Sequence, residues 1–161
     1  MLSGGLRRRM PDFLTQSHEI WTNFEQIAIA YLLTALIGWE QEEEAHSAGI
    51  RTFPLVGMAS CGYLLSLGIH PNSADQSRVL QGLITGIGFV GGGAILREGV
   101  TVRGTATAAS VWNAGVIGAS VAMQHYGIAI TLSLLNLFTL RALLPLKNWI
   151  DQKRPNGKKS S

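Results

Sequence analysis

The chain has 161 residues, a single cysteine and a formal net charge of +3. Only 14% of its residues are charged, whereas soluble domains average about 25%, and this composition excludes a disordered chain and a coiled coil. The lone cysteine excludes a disulfide framework. The charges concentrate at the two ends and in short gaps. This pattern favours a membrane protein over a soluble helical domain, whose helices would need charged faces for solvation.

Long uncharged runs predict five transmembrane helices, so the expected fold class is an all-α integral membrane protein. The 18 residues from Val79 to Leu96 include no Asp, Glu, Lys or Arg, and neither does the run from Thr105 to Tyr126. A bilayer core of about 30 Å needs roughly 20 helical residues. The predicted helices lie near residues 20–39, 53–70, 79–97, 105–123 and 126–146. A polar N-terminal arm, 1–19, precedes this membrane domain, 20–146, and a basic tail, 147–161, follows it.

The distribution of Lys and Arg predicts the orientation, because cytoplasmic loops carry an excess of both. Four of them fall on the side of the N-terminal arm, and nine fall on the side of the 40–52 and 97–104 loops and the C-terminal end. We therefore expect the N-terminus outside and the C-terminus in the cytoplasm. The opposing cluster Arg7–Arg9 lies more than ten residues from the first apolar segment, which reduces its weight.

The third predicted helix is rich in glycine, at Gly82, Gly86, Gly88, Gly91, Gly92 and Gly93. Lipid gives helices no hydrophobic reason to associate, so close approach through small residues must hold them together. Glycines on two faces predict that this helix packs between two neighbours, and they also suit a homo-oligomer. The alternative is that Phe89–Gly93 breaks or bends the helix, as in the discontinuous helices of transporters.

The fourth predicted helix consists mainly of small residues and contains one amide, Asn113. A buried Asn in hydrocarbon needs a hydrogen-bond partner. The simpler interpretation is a bond to a neighbouring helix, and the functional one is a membrane-embedded site. Together with glycines of the third helix, the candidate site comprises Gly86, Gly88, Gly91, Gly92, Gly93, Thr107, Trp112 and Asn113.

Charged and polar residues converge on the predicted cytoplasmic face, at the ends of the helices. Arg51 lies at the membrane edge, where an unpaired charge is costly, so we expect a carboxylate partner, either Glu40 or Glu98. This cluster either fixes the loops through ion pairs or forms a ligand or partner site. Its members are Glu40, Arg51, Thr52, Arg97, Glu98, Arg103 and Thr105.

No residue pattern predicts a catalytic centre, so we expect no enzyme activity and assign no catalytic residue. The run Glu42–Glu44 offers the carboxylate oxygens that Mg²⁺ prefers, but three consecutive residues do not share one helix face. The four histidines are scattered without ligand spacing. We therefore expect no cofactor, with bound Mg²⁺ as the alternative, and we assign no metal ligands. The expected partners are membrane lipid and other membrane proteins, not nucleic acid.

Three motif blocks follow one another along the chain: Gly38–Glu40 with Ala48–Thr52, then Gly86–Gly99, then Thr101–Trp112. In order and spacing they resemble the MgtC/SapB family of bacterial inner-membrane proteins over about residues 25–145. The positions that carry the resemblance are Glu40, Gly49, Arg51, Thr52, Arg78, Gly86, Gly88, Phe89, Gly91, Gly93, Arg97, Gly99, Arg103, Gly104, Thr107, Ala108, Ala109 and Trp112.

The resemblance implies five membrane helices with a cytoplasmic C-terminus. It also implies a regulatory or partner-binding protein linked to magnesium limitation, stress and virulence, with F-type ATP synthase among its partners. The alternative is a transporter or channel for Mg²⁺ or another cation that acts as an oligomer. Some relatives carry a soluble C-terminal domain, so this chain is expected to be a short form with the membrane domain only.

The sequence departs from the family pattern beside two of these positions. Glu40 is followed by Gln41, where the family usually has Arg, and this removes one cation from the predicted cytoplasmic face. Gly104 is followed by Thr105 and Ala106, where the family has Leu and then often Thr or Asn. A polar group that some members place there is therefore missing.

Overall fold

The computed structural model describes residues 9–43, 48–68, 73–98 and 101–153. Within these ranges the chain forms five helices, which confirms the helical fold class, and a two-stranded hairpin that the sequence did not predict. The helices are α1 (Arg9–Glu43), α2 (Thr52–Leu65), α3 (Ser73–Gly93), α4 (Thr105–Ala122) and α5 (Tyr126–Lys153). The strands are β1 (Leu96–Glu98) and β2 (Thr101–Arg103), which pair antiparallel.

Several helix ends differ from the predicted ones. α1 begins at Arg9 and α5 continues to Lys153, so parts of the expected polar arm and tail are helical, whereas 1–8 and 154–161 lie outside the described residues. Apolar length predicts where a helix could leave a membrane, but polar residues do not by themselves end the helix. α2 stops at Leu65 rather than near 70, because the following turn leads to Gly68 at φ +82°, a conformation that suits glycine.

The hairpin replaces the predicted end of the third helix. The amides of Ala94 and Ile95 donate to the carbonyls three residues earlier, at 3.0 and 3.2 Å, and the chain then turns into β1. Leu96 pairs with Arg103 and Arg97 with Val102. Cross-strand partners share a face and successive residues alternate. Arg97 and Arg103 therefore lie on opposite faces of the hairpin.

α4 is the central helix and packs against each of the other four. Its small residues make this possible. A Cβ added at Gly118 would overlap the carbonyl oxygen of Gly57 in α2, and one added at Gly115 would overlap the Ile87 side chain of α3. The small residues of the fourth predicted helix thus serve contacts with two neighbours within the chain.

The bundle exposes large apolar side chains and buries polar ones. Phe89 is 85% exposed and Phe138 65%, whereas Gln41, Thr34 and Asn136 are buried. Soluble monomers rarely present large contiguous apolar patches to water. The distribution therefore suits a surface covered by lipid.

Among the described residues, two helical segments are long and apolar enough to cross a membrane, namely Ser17–Glu42 within α1 and Tyr126–Leu143 within α5. α2 is apolar but has only 14 residues, which rise about 21 Å and fall short of a hydrocarbon core of about 30 Å. The structure therefore supports five helices and two candidate spans. Five membrane crossings remain a prediction.

Candidate functional site

One end of the bundle, which we call the hairpin end, contains the end of α1, the starts of α2 and α4, and the hairpin. A Cβ added at Gly38 would lie 3.0 Å from the Cα of Ile50, which shows how closely α1 approaches the chain just before α2. Thr52 and Thr105 are the first residues of α2 and α4. The structure thus brings these threonines to the same end as Glu40.

Glu40 pairs with Arg141 of α5, so the prediction that it pairs with Arg51 is wrong. Arg141 Nε lies 3.8 Å from Glu40 Oε1, with the Glu40 side chain 16% exposed. Within the described residues no ion pair joins Arg51 to a carboxylate, and the side chain of Glu98, the other predicted partner, lies outside them. The reason is the length of α5, which carries Arg141 to the level of Glu40 across the bundle.

Glu42 stabilises the turn that leads into α2. Its Oε2 accepts a hydrogen bond from the backbone N of Ile50 at 3.1 Å, and a Cβ added at Gly49 would overlap this carboxylate oxygen. The side chains of Glu43 and Glu44 lie outside the described residues. Among the His, Cys, Asp and Glu residues that the structure does describe, no three come together as a metal site would require.

The arginines of the predicted polar cluster do not form a single surface. Arg97 and Arg103 lie on opposite faces of the hairpin, and both are exposed, as is Arg51. Gly99, a position that carries the family resemblance, lies outside the described residues. The members of the predicted polar cluster therefore share one end of the bundle without meeting at one point.

Neutral hydrogen bonds cross the interior between α1, α4 and α5, and we call the residues that make them the polar seam: Gln41, Thr107, Ser110, Asn113, Ser133 and Asn136. Thr107 Oγ1 donates to Gln41 Oε1 at 2.9 Å. Ser110 Oγ donates to Asn136 Oδ1, also at 2.9 Å. All four side chains are buried. The seam therefore joins α4 to both α1 and α5 near the hairpin end.

The seam continues through bonds to backbone carbonyls. Asn113 Nδ2 donates to the carbonyl of Leu132 at 3.4 Å, and Ser133 Oγ donates to that of Leu33 at 2.9 Å. For Asn113, the simpler of the two predicted interpretations, a bond between helices, is therefore the one observed. Trp112, its neighbour in the predicted site, is 46% exposed and lies away from the seam.

Sequence reasoning missed Gln41 and Asn136 as site residues. Gln41 stood out only as a departure from the family pattern, yet it is 1% exposed and contacts Thr107. Asn136 is the one amide side chain in the uncharged run 127–140, and this position could have been recognised from the sequence. Its Nδ2 has no hydrogen-bond partner among the described residues, so one buried amide group is left unsatisfied.

We expect the pair Gln41 and Thr107 to behave as a coupled unit. Gln41→Leu or Thr107→Val alone should lower the free energy of unfolding by about 1–3 kcal/mol, because each leaves a buried polar partner without its bond. The double variant should lose much less free energy of unfolding than the sum of the losses in the two single variants. Thermal unfolding of all four proteins in one detergent measures the coupling, and strictly additive losses would contradict it.

The glycines of α3 do not pack as predicted. Gly91 lies against α4, where an added Cβ would be 3.1 Å from the carbonyl oxygen of Ala108. The helix is continuous through Phe89–Gly93, so the predicted break is absent there, and a bend stays a prediction. The glycines at which an added Cβ would meet no atom within 4 Å are Gly82, Gly86, Gly88, Gly92 and Gly93. α3 contacts α4 and, at fewer positions, α2, but these five glycines are not the points of contact.

Comparison with known proteins places these features in a family. The family model described as "MgtC family" matches residues 27–149. MgtC of Salmonella typhimurium is 37% identical over 109 residues, which are 67% of this chain and 46% of that protein. MgtC of Brucella abortus is 36% identical over 92 residues, 57% of this chain and 39% of that protein. A Synechocystis protein, slr0014, is 29% identical over 128 residues, which are 80% of this chain and 55% of that protein.

The chain spans about half the length of the curated relatives it matches. No solved structure matches it. The similarity covers α2, α3, the hairpin and α4 completely and most of α5, together with the part of α1 that packs in the bundle. The polar seam and the open glycines of α3 both lie within the matched region.

Proposed function

The chain belongs to the MgtC family, and on that premise we propose that it is a bacterial inner-membrane protein that acts by binding other membrane proteins. The role we propose is regulatory, linked to magnesium limitation, stress and virulence. The observation that carries this proposal is the open glycine surface of α3. The family places the protein in the membrane, and this surface supplies a physical reason for a partner.

Glycine inside a helix is unfavourable by about 0.5–1 kcal/mol relative to alanine. Five glycines of α3 have no neighbour within the described chain that requires the absence of a side chain. Together they lower the stability of the helix by about 2.5–5 kcal/mol. A partner helix that approaches the α3 backbone closely would offset this loss through packing.

The surface that we assign to the partner is the outer face of α3, formed by Gly88, Phe89 and Gly92. Gly88 and Gly92 are four residues apart and so lie on one side of the helix, in the small-xxx-small spacing of close helix pairs. Phe89 is 85% exposed and supplies a large apolar contact beside them. This combination suits a transmembrane helix of a partner protein, and it also allows a homo-oligomer.

All five helices contribute to the proposed membrane surface. Each exposes at least one large apolar side chain, for example Leu32, Leu55, Phe89, Trp112 and Phe138 in chain order. This supports five crossings, in which α2 would use its flanking turns to reach the interfaces. The excess of Lys and Arg supports an orientation with the hairpin end and the C-terminus in the cytoplasm and the N-terminus outside.

Family resemblance makes F-type ATP synthase the partner to test first. In inverted inner-membrane vesicles that contain the chain, we expect slower ATP-driven proton pumping than in vesicles without it. The double variant Gly88→Leu and Gly92→Leu should restore pumping severalfold, because its side chains hold a partner helix away. The fluorescence change of a pH-sensitive acridine dye measures the rate.

The matched control is Gly62→Leu on α2, a position that also has no atom within 4 Å of an added Cβ. It introduces one leucine elsewhere on the proposed membrane surface and should leave the inhibition intact. Equal amounts of the variants in the membrane must be verified by immunoblot. Equal loss of inhibition in the control and the α3 variant would contradict the assignment of the partner to α3.

Cation transport is the competing function. The purified chain in liposomes that enclose a Mg²⁺-sensitive dye distinguishes it, and we expect the same dye signal with and without protein. A reproducible protein-dependent Mg²⁺ flux would replace binding with transport as the primary activity. The buried side chains of the polar seam are neutral amides and hydroxyls that hydrogen-bond within the bundle, and this favours the binding role.

A further inference from the structure

An apolar groove lies between α2 and α3 and is separate from the outer face of α3. It has a volume of about 400 Å³ and runs from Val79 to Val90 along α3, about 16 Å of helix. Gly82 and Gly86 form part of its wall, and their missing side chains keep it open. The residues of α2 that line it are Val56, Ala59, Ser60 and Tyr63.

The polar side chains that line the groove are those of Ser60 and Tyr63. Tyr63 lies two residues before the end of α2, its side chain is exposed, and its hydroxyl has no hydrogen-bond partner among the described residues. Arg78 directly precedes Val79, is exposed, and forms no ion pair with a described carboxylate. Asp75, one turn earlier, has an interaction of its own that does not involve Arg78. The groove therefore ends beside an available hydroxyl and next to an arginine that has no ion-pair partner among the described residues.

We propose that this groove binds one acyl chain of an anionic phospholipid, whose phosphate lies at Arg78. The inference rests on the proposed membrane insertion, which places the Arg78 end of α3 near an interface. The 16 Å length of the groove matches one leaflet of the hydrocarbon core, about 15 Å. Tyr63 lies on the path from the phosphate to the acyl chain, where its hydroxyl can donate to an ester carbonyl.

Size and charge favour a lipid over a helix of another protein. A helix with its side chains is about 10 Å across and can only lie over this groove, whereas a flexible acyl chain is thin enough to lie within it. A cation near the membrane surface attracts an anionic headgroup by about 1 kcal/mol. This corresponds to about a fivefold preference over a zwitterionic lipid with the same chains.

Native mass spectrometry of the full chain in a mild nonionic detergent tests the proposal. The protein is mixed with equal amounts of dioleoyl phosphatidylglycerol and dioleoyl phosphatidylethanolamine, and the retained lipids are counted. We expect about fivefold more phosphatidylglycerol, and the preference should disappear in Arg78→Gln and return in Arg78→Lys. Equal retention of the two lipids by the unchanged protein, or an unchanged preference in Arg78→Gln, would overturn the site.

The acyl chain is tested by filling the groove. Gly86→Leu should reduce retention of both lipids severalfold, whereas the matched control Gly62→Leu should not. If Gly86→Leu yields no folded protein, Gly82→Leu replaces it, because an added Cβ there also meets open space. Headgroup alone, as glycerophosphoglycerol in excess, should displace no lipid, and displacement would show a phosphate site without an acyl component.

These outcomes are independent of partner binding. Loss of lipid preference with intact inhibition of ATP synthase removes the lipid site and leaves the proposed function in place. The converse result, with lipid retained and no inhibition, removes the partner and keeps the groove. Correct folding of each variant is verified by its thermal unfolding in the same detergent.

Discussion

Gly118→Ala should lower the free energy of unfolding by about 3 kcal/mol. The added Cβ would overlap the carbonyl oxygen of Gly57 and lie 3.0 Å from the Cβ of Ser60. Both atoms belong to α2, whose backbone has little room to move because Gly57 also lies close to Thr34 of α1. Overpacking of this kind typically costs about 1–3 kcal/mol and sometimes more.

Thermal unfolding followed by the fluorescence of the four tryptophans measures the effect. A loss of about 3 kcal/mol lowers the midpoint by roughly 6–12 °C in a chain of this size. Gly62→Ala is the control, since an added Cβ there meets no neighbour, and it should gain about 0.5–1 kcal/mol from helix propensity. A midpoint for Gly118→Ala within 2 °C of the unchanged protein would show that α2 and α4 are not in this contact.

Gly104→Ala should lower the free energy of unfolding by about 2–4 kcal/mol. Gly104 joins β2 to α4 at φ +82° and ψ +6°, in the left-handed region, which costs other residues about 1–2 kcal/mol. An added Cβ would also overlap the carbonyl oxygen of Ala94. The overlap adds a packing penalty to the backbone penalty at the open end of the hairpin, where β1 begins and β2 ends.

Gly68→Ala separates the backbone penalty from the packing penalty. Gly68 has the same φ of +82°, but an added Cβ there meets no atom within 4 Å. It should therefore show the backbone penalty alone, about 1–2 kcal/mol. Gly104→Asn supplies the second comparison: Asn tolerates the left-handed region but also carries a Cβ, so it should be nearly as unstable as Gly104→Ala. Equal losses at positions 68 and 104 would contradict the close approach to Ala94.

The sequence alone determined the number of helices, their order and the family. Uncharged runs such as 79–96 and 127–140 are local patterns, and a helix satisfies its own backbone hydrogen bonds within such a run. The small residues of the fourth run also indicated a closely packed helix. Local patterns were less informative about helix ends, because α1 and α5 continue through polar residues and α5 continues past Pro145.

Only the tertiary structure decided which polar groups meet. Glu40 pairs with Arg141 rather than Arg51, and Gln41 contacts Thr107 across 66 residues of sequence. Such contacts depend on how far each helix extends and how it is rotated, which no single run encodes. The glycines of α3 give the same lesson, since the sequence indicated close packing and the structure leaves five of them open. A glycine marks where a neighbour can approach, and whether that neighbour lies within the chain depends on the packing of the whole bundle.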